Sequence, residues 1–380
     1  MLASHISLQN WRNFAKVDLD LGSRVFLVGA NASGKSNFLD AFRFLGDIAK
    51  QGGGLQKAIS DRQGLSKIRC LAARRYPDVE LELHLAEDAG SKPVLKYAIG
   101  IRQEPRGHRQ PHLTYERVWK GSEQVLDRPD KADDLDPLRL TQTHLEQINS
   151  NAGFRDIAVF LQSTLYLHLV PQLLRHPQAF SGPEMPGDPF GRSFLERIAR
   201  TPDKTRKARL RAIETALTVA VPQLKQLCYA EELGVPHLEA IYTHWRPHGG
   251  KQREDQFSDG TLRLIGLLWS MLEGDSLLLL EEPELSLNSG VVSRIPALMH
   301  RMQQRRRRQI VVSTHSSELL SDKSIGAEEV LLLDPSPEGT TIRRASDSGE
   351  VRALLEGGFS VGEAILPRTV PEHASQLRLF

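Results

Sequence analysis

Residues 29–37 read GANASGKSN, and the stretches on either side of this glycine loop limit the folds open to the chain. An apolar run, 25–28, leads into it, and beyond it Phe38, Leu39, Phe42, Leu45 and Ile48 recur at helical spacing. A strand that turns through GxxxxGKS straight into a helix gathers amide groups that lack an intrahelical acceptor, and such a cluster favours an anion. Gly29 and Gly34 permit backbone angles that other residues resist. The amides of Asn31, Ala32, Ser33, Gly34, Lys35, Ser36 and Asn37 are therefore expected to turn toward the phosphate oxygens of a nucleotide. Lys35 would bridge the β and γ phosphates, and the Ser36 hydroxyl would face Mg2+, which takes oxygen ligands in an octahedron.

Downstream, LLLLEEPE at 277–284 describes a buried strand that ends in paired carboxylates, where a parallel sheet meets its ligands. Glu281 is expected to hold Mg2+ through water. Glu282 would accept a proton from the attacking water and align it with the γ-phosphate. The apolar strand 310–313 leads to His315, within STH, as a sensor of that phosphate. FSDGT at 257–261 precedes a helix over 262–272, so its amides and the Ser258 hydroxyl form another anion-seeking helix start. One such start already serves the phosphates of its own subunit. Ser258 and Gly260 are accordingly assigned to the γ-phosphate held by a second copy, with an ordinary N-cap at Ser258 or Asp259 as the alternative. The order of these stretches implies ATP shared across a homodimer, with Glu282, Lys35 and His315 as the catalytic set.

The expected class is α/β: a phosphate-loop head with a mixed, largely parallel sheet, an antiparallel β patch over 79–85, 94–102 and 113–119, and an inserted helical lobe. Helical periodicity marks 138–161 and 193–217, with a Pro- and Gly-rich link at 182–189. On this reading the head occupies 1–128 and 237–345, the lobe 129–236, and a tail 346–380 offers few core positions.

Lys and Arg outnumber Asp and Glu by only 49 to 47, so a nucleic-acid contact would need a local basic patch. Arg305–Arg308 and the stretch 204–211 are the candidates, against solvated helix surfaces as the plainer reading. Cys70 and Cys228 stand far apart, which suits a reducing cytoplasm and neither a disulfide scaffold nor a zinc site. The apolar runs 264–272 and 277–280 are too short to span a bilayer, so no membrane is expected.

Taken together, NWRNF at 10–14, GANASGKSNFLDAFRFL at 29–45, FSDGTLRLIGLL at 257–268, EEPELSL at 281–287 and VVSTHSSELL at 311–320 resemble the ABC-type ATPase heads of the RecF, OLD and structural-maintenance-of-chromosomes (SMC) group. The resemblance is closest to the small AAA-family ATPases of bacterial defence islands. It implies head-to-head dimers enclosing ATP and Mg2+, and it places Arg12 near the base or a phosphate. The chain departs from the wider pattern at Glu281, where an aspartate is usual, and at Asn288, where relatives carry histidine or aspartate. FSDGT differs from the transporter-type LSGGQ, and Gln63 is the candidate for the glutamine loop. No long heptad segment or acidic cluster after Leu333 is evident, so tethering by a coiled coil is disfavoured and any cutting of nucleic acid would fall to a separate chain. The resulting expectation is an ATP-hydrolysing switch of a defence system that controls an effector protein encoded nearby. A RecF-like repair ATPase that clamps DNA is the alternative, and a scaffold with vestigial ATP binding fits less well.

Overall fold

The computed structural model describes residues 1–73, 77–103, 110–177, 187–243 and 249–370. Residues 182–186 of the expected link, Trp245, His248 and the end of the tail, 371–380, lie outside these.

Strands β1 (Leu2–Trp11), β2 (Phe14–Asp20) and β3 (Arg24–Gly29) lead into helix α1 (Lys35–Ala49). Then come β4 (Val79–Ala86), β5 (Leu95–Gln103), β6 (Pro111–Lys120) and β7 (Glu123–Arg128), helix α2 (Arg155–Ser163), and β8 (Leu165–Leu167). Helix α3 (Asp203–Ala220) precedes β9 (Leu224–Glu232), β10 (Val235–Tyr242) and β11 (Gly250–Arg253). The chain ends its described part with helix α4 (Asp259–Leu272), β12 (Leu278–Glu281), helix α5 (Ile295–Arg305), β13 (Ile310–Thr314), β14 (Val330–Ser336) and β15 (Gly339–Arg344), followed by short helices.

These strands build an antiparallel sheet ordered β2-β1-β4-β5-β6-β7, a second sheet ordered β15-β14-β3-β13-β12-β8, and a small antiparallel sheet β11-β10-β9. In the second sheet only β15 runs antiparallel. Its inner strands β14, β3, β13 and β12 are apolar on both faces, and alternation divides their side chains. Val25, Leu27, Leu279, Val311, Leu331 and Leu333 enter one core with Phe38, Phe42 and Leu45 of α1. Phe26, Val28, Leu278, Leu280, Val312 and Leu332 enter another with Ile265, Leu268 and Trp269 of α4. Side chains one residue apart point to opposite faces, so a continuous apolar run serves two layers at once. The phosphate loop and the paired glutamates thereby lie at one edge of a sheet covered on both sides.

The middle of the chain is less helical than its periodicity predicts. Of 138–161 only α2 forms an α-helix, while Pro137–Thr141 and Ala152–Phe154 are single 3-10 turns. The cause is the buried Glu116, whose carboxylate accepts the His144 and Leu145 amides at 2.7 and 3.1 Å. Arg128, paired with Glu116 and Asp133, donates to the carbonyls of Gln142 and Arg139 and so takes acceptors that a helix would use. Strand β8 also departs from a purely helical lobe, since it pairs with β12 and extends the head's parallel sheet. Polar β7, β9 and β11 carry too little alternation to be read from sequence. The tail differs as well: Val351, Val361, Ala364 and Ile365 are buried in the α4-side core rather than lying at the surface.

Candidate functional site

The turn between β1 and β2 holds the phosphate loop in place. Trp11 donates its indole N–H to the Asn37 carbonyl at 2.7 Å, and Asn13 donates through Nδ2 to the Ser33 carbonyl at 2.9 Å and to Thr340 Oγ1 at 2.6 Å. Asn37 returns a bond to Asn13 Oδ1 at 2.8 Å. Gly34 has φ of 101°, and a Cβ there would fall 2.2 Å from Asn13 Nδ2, so conformation and space both exclude a side chain. Lys35 Nζ donates to the carbonyls of Gly29 and Ala30 at 2.8 and 3.0 Å. Burial pulls its ammonium below the ordinary value, while Glu282, Glu281 and Glu284 pull the other way.

At the end of β12, both oxygens of Glu281 accept hydroxyl donors: Ser36 Oγ on Oε1 and Tyr166 OH on Oε2. Burial first, then the charge of Glu281, drives the Tyr166 phenol far above its ordinary value, so it remains a donor. The Ser36 hydroxyl and the Glu281 carboxylate are hard oxygen donors of the kind Mg2+ accepts, and phosphates and water would complete its shell. Glu282 has φ of 45° and donates its amide to the Ser313 carbonyl at 3.0 Å. Its Oε1 lies 3.2 Å from His315 Nδ1, with Glu282 a quarter exposed and His315 about half. The next acid, Glu284, is buried and accepts from Thr314 Oγ1 at 2.5 Å, and burial raises its carboxyl above the usual range. The adjacent strands β12 and β13 thus bring together Glu282 with His315, while Ser36, at the start of α1 beyond β3, reaches Glu281 two strands away.

Ser258 acts within this chain as the N-cap of α4, its Oγ accepting the Thr261 amide at 3.1 Å. A Cβ on Gly260 would lie 2.6 Å from the Ser286 carbonyl, so the start of α4 packs backbone against backbone on the loop after the paired glutamates. Between them, Asp259 is clasped by Arg175 at 2.6 Å and Gln172 at 2.9 Å. Among the hydrogen bonds of the described residues, none joins Ser258 or Gly260 to residues 29–37.

Arg12 donates to Asp40 at 2.9 Å and to the Lys67 carbonyl at 3.2 Å. Together with Ser36, Asn37, Arg43, Gln63 and Lys67 it lines a cavity of about 510 Å³ beside the phosphate loop. Gln63 shares that cavity, but the lining side chains bonded to Glu281 are Ser36 and Tyr166. Sequence reading passed over Tyr166 because β8 is three residues long, too short for any periodicity. Asn13, Gln172 and Arg175 were missed because their partners are remote in sequence.

The arginine run divides by orientation. Arg308 is buried and donates to the carbonyls of Ser270, Glu273 and Ser276, the last at 2.8 Å, and burial pulls its guanidinium down to about 10. Arg306 donates to the Leu272 carbonyl at 3.0 Å. Both therefore close the C-terminal end of α4, whereas Arg305 and Arg307 face outward, Arg307 reaching Asp88 at 2.7 Å. On α3, Arg206 and Arg209 lie over the rings of Tyr229 and Trp269, leaving Lys204, Lys207 and Arg211 exposed.

Comparison with known proteins agrees with this architecture. A crystal structure of the SMC head bound to the C-terminal winged-helix domain of ScpA is similar over 90% of this chain and 98% of its own, at 15% identity and a TM-score of 0.55. An Smc head domain with an extended coiled coil, bound to the C-terminal domain of ScpA derived from Pyrococcus furiosus, is similar over 94% and 99% at 13% identity and a TM-score of 0.50. Endonuclease GajA of Bacillus cereus (strain VD045) is 39% identical over 67 residues, which is 18% of this chain and only 12% of that relative. Residues 24–321, from the phosphate-loop strand to beyond His315, match the family described as "AAA domain, putative AbiEii toxin, Type IV TA system". The chain therefore belongs to that AAA-domain family, and it shares the fold of SMC heads.

Proposed function

We propose that this protein binds ATP with Mg2+ and hydrolyses it, and that ATP closes a homodimer whose state controls an effector protein encoded nearby, in a defence setting. The observation that carries the hydrolytic part is the Glu282 carboxylate 3.2 Å from His315, one residue beyond the Glu281–Ser36 pair. In this reading the loop amides and Lys35 hold the phosphates, and Ser36 and Glu281 hold Mg2+, which neutralises charge on the transferred phosphoryl group. Glu282 takes the proton of the attacking water, with His315 beside it to orient that carboxylate. The cavity lined by Arg12, Asn37 and Gln63 receives the nucleoside end. Ser258 and Gly260 meet the γ-phosphate of the opposite copy. The head is assigned to 1–128 and 237–345, joined by β8 from the intervening lobe.

The family description, with its toxin and antitoxin wording, and the short match to an endonuclease support the defence setting. DNA clamping, the alternative, would rest on the outward Arg305 and Arg307 and on the α3 lysines. No described helix is long and apolar enough to cross a membrane. The test is phosphate release together with light scattering of the eluting protein. The wild type should release phosphate from ATP, and Glu282→Gln should lose at least 100-fold in rate while eluting as an ATP-bound dimer. A monomeric Glu282→Gln in saturating ATP would contradict the dimer, and undiminished phosphate release would contradict the role of Glu282.

A further inference from the structure

Register in the parallel sheet sets Tyr166 of β8 opposite Leu279 of β12, two residues before Glu281. From that edge position the phenol donates to Glu281 Oε2, while Ser36, in the first turn of α1, donates to Oε1. The carboxylate is thus held from two directions by two different elements. The ring itself is fixed by Arg43, whose guanidinium lies 4.2 Å from its centroid. Arg43 also belongs to α1, so the helix that presents Ser36 sets the position of the tyrosine as well. A glutamate here has one more rotatable bond than the aspartate of the wider pattern and needs more restraint to offer one oxygen in a fixed direction.

Resting on the ATPase reading above, we infer that Tyr166 is a positioning residue for the metal carboxylate: it anchors Oε2 so that Oε1 and the Ser36 hydroxyl stand as a pair of hard oxygens beside the phosphate loop. Partners that hold a metal ligand from outside the coordination shell commonly matter 10- to 100-fold for affinity. The Tyr166 hydroxyl is the only part of the side chain that Phe lacks, so Tyr166→Phe keeps the ring beneath Arg43.

Mn2+ serves as the probe, titrated by electron paramagnetic resonance into the full-length protein with a slowly hydrolysed ATP analogue. Metal-free nucleotide affinity is read separately from a fluorescent analogue in EDTA. Tyr166→Phe should weaken Mn2+ binding by about 10-fold and leave metal-free nucleotide affinity unchanged. Equal Mn2+ affinity in variant and wild type overturns the role of Tyr166, as does a parallel loss of metal-free nucleotide binding, which would mark a general packing defect. A second arm uses Glu281→Asp, whose shorter side chain withdraws from the phenol. In that background Tyr166→Phe should change Mn2+ affinity no further, and a renewed loss of similar size places the effect of the hydroxyl elsewhere. Failure of the wild type to bind either nucleotide or Mn2+ would instead remove the ATPase reading and this inference with it.

Discussion

Asp40, on the first turns of α1, shows how single side chains steady the cavity beside the phosphate loop. Burial alone would raise its carboxyl, but hydrogen bonds and charge from Arg62, with Arg43 and Arg12, outweigh burial and hold it below the usual carboxylate range. Its folded pKa is lower than the unfolded value of about 3.9, so its contribution to stability is full above that pH and is lost as pH falls through the folded value. Melting curves should show the wild type losing stability more steeply than Asp40→Asn below about pH 4, since the variant has already forfeited the contribution. Parallel slopes would refute the pairing. At this scale the sequence was informative where chemistry is carried by adjacent residues. The approach of Ser36 to Glu281 and of Glu282 to His315 follows from motifs placed at the same end of the three consecutive parallel strands β3, β13 and β12. Tyr166 was hidden because a hydroxyl on a three-residue strand has no pattern of its own, and the bonds of Arg12 to Asp40 and to the Lys67 carbonyl join residues too far apart in sequence to show in a motif.

Among the elements, α4 is held at both ends. Its start is capped by Ser258 and anchored through Asp259 to Arg175, and its finish is closed by Arg306 and Arg308. Carbonyls at a helix C-terminus lack internal donors and carry partial negative charge, so a buried guanidinium there satisfies several at once. Replacing Arg308 with Met should cost about 3 kcal/mol, because the buried Ser270 carbonyl and the half-buried Glu273 and Ser276 carbonyls would be left without that donor. Denaturant unfolding checks this, and the doubly substituted Arg305→Ala, Arg307→Ala protein should stay within about 0.5 kcal/mol of wild type. The basic run looked like a solvated helix end or a DNA patch in sequence because charge density says nothing about direction. The strands of the parallel sheet were legible from their apolar runs. The 137–146 stretch was not, since its path is dictated by the buried Glu116 and Arg128, whose demand for backbone partners overrides local helical preference.

Considered as a whole, the molecule assembles its nucleotide cradle from segments near opposite ends of the sequence. Strand β3 lies between β13 and β14, and Asn13 ties the Ser33 carbonyl to Thr340 at the start of β15. That the chain would form one α/β head was readable from the alternation of apolar strands and helices. That its tail would enter the core was not, because the buried residues of the short helix Val361–Ile365 are too few to show a period. A nascent chain still attached to the ribosome, with 310–344 inside the exit tunnel, would have made its glycine loop long before the strands on either side of it arrive. Nucleotide capture should therefore await the emergence of β13, β14 and β15. Stalled chains ending near 309 should retain no labelled ATP analogue, while chains extended by a linker beyond 370 should retain it. A glycine loop that emerges this early would then stay idle until its flanking strands follow, with no interval in which a partial product competes for nucleotide.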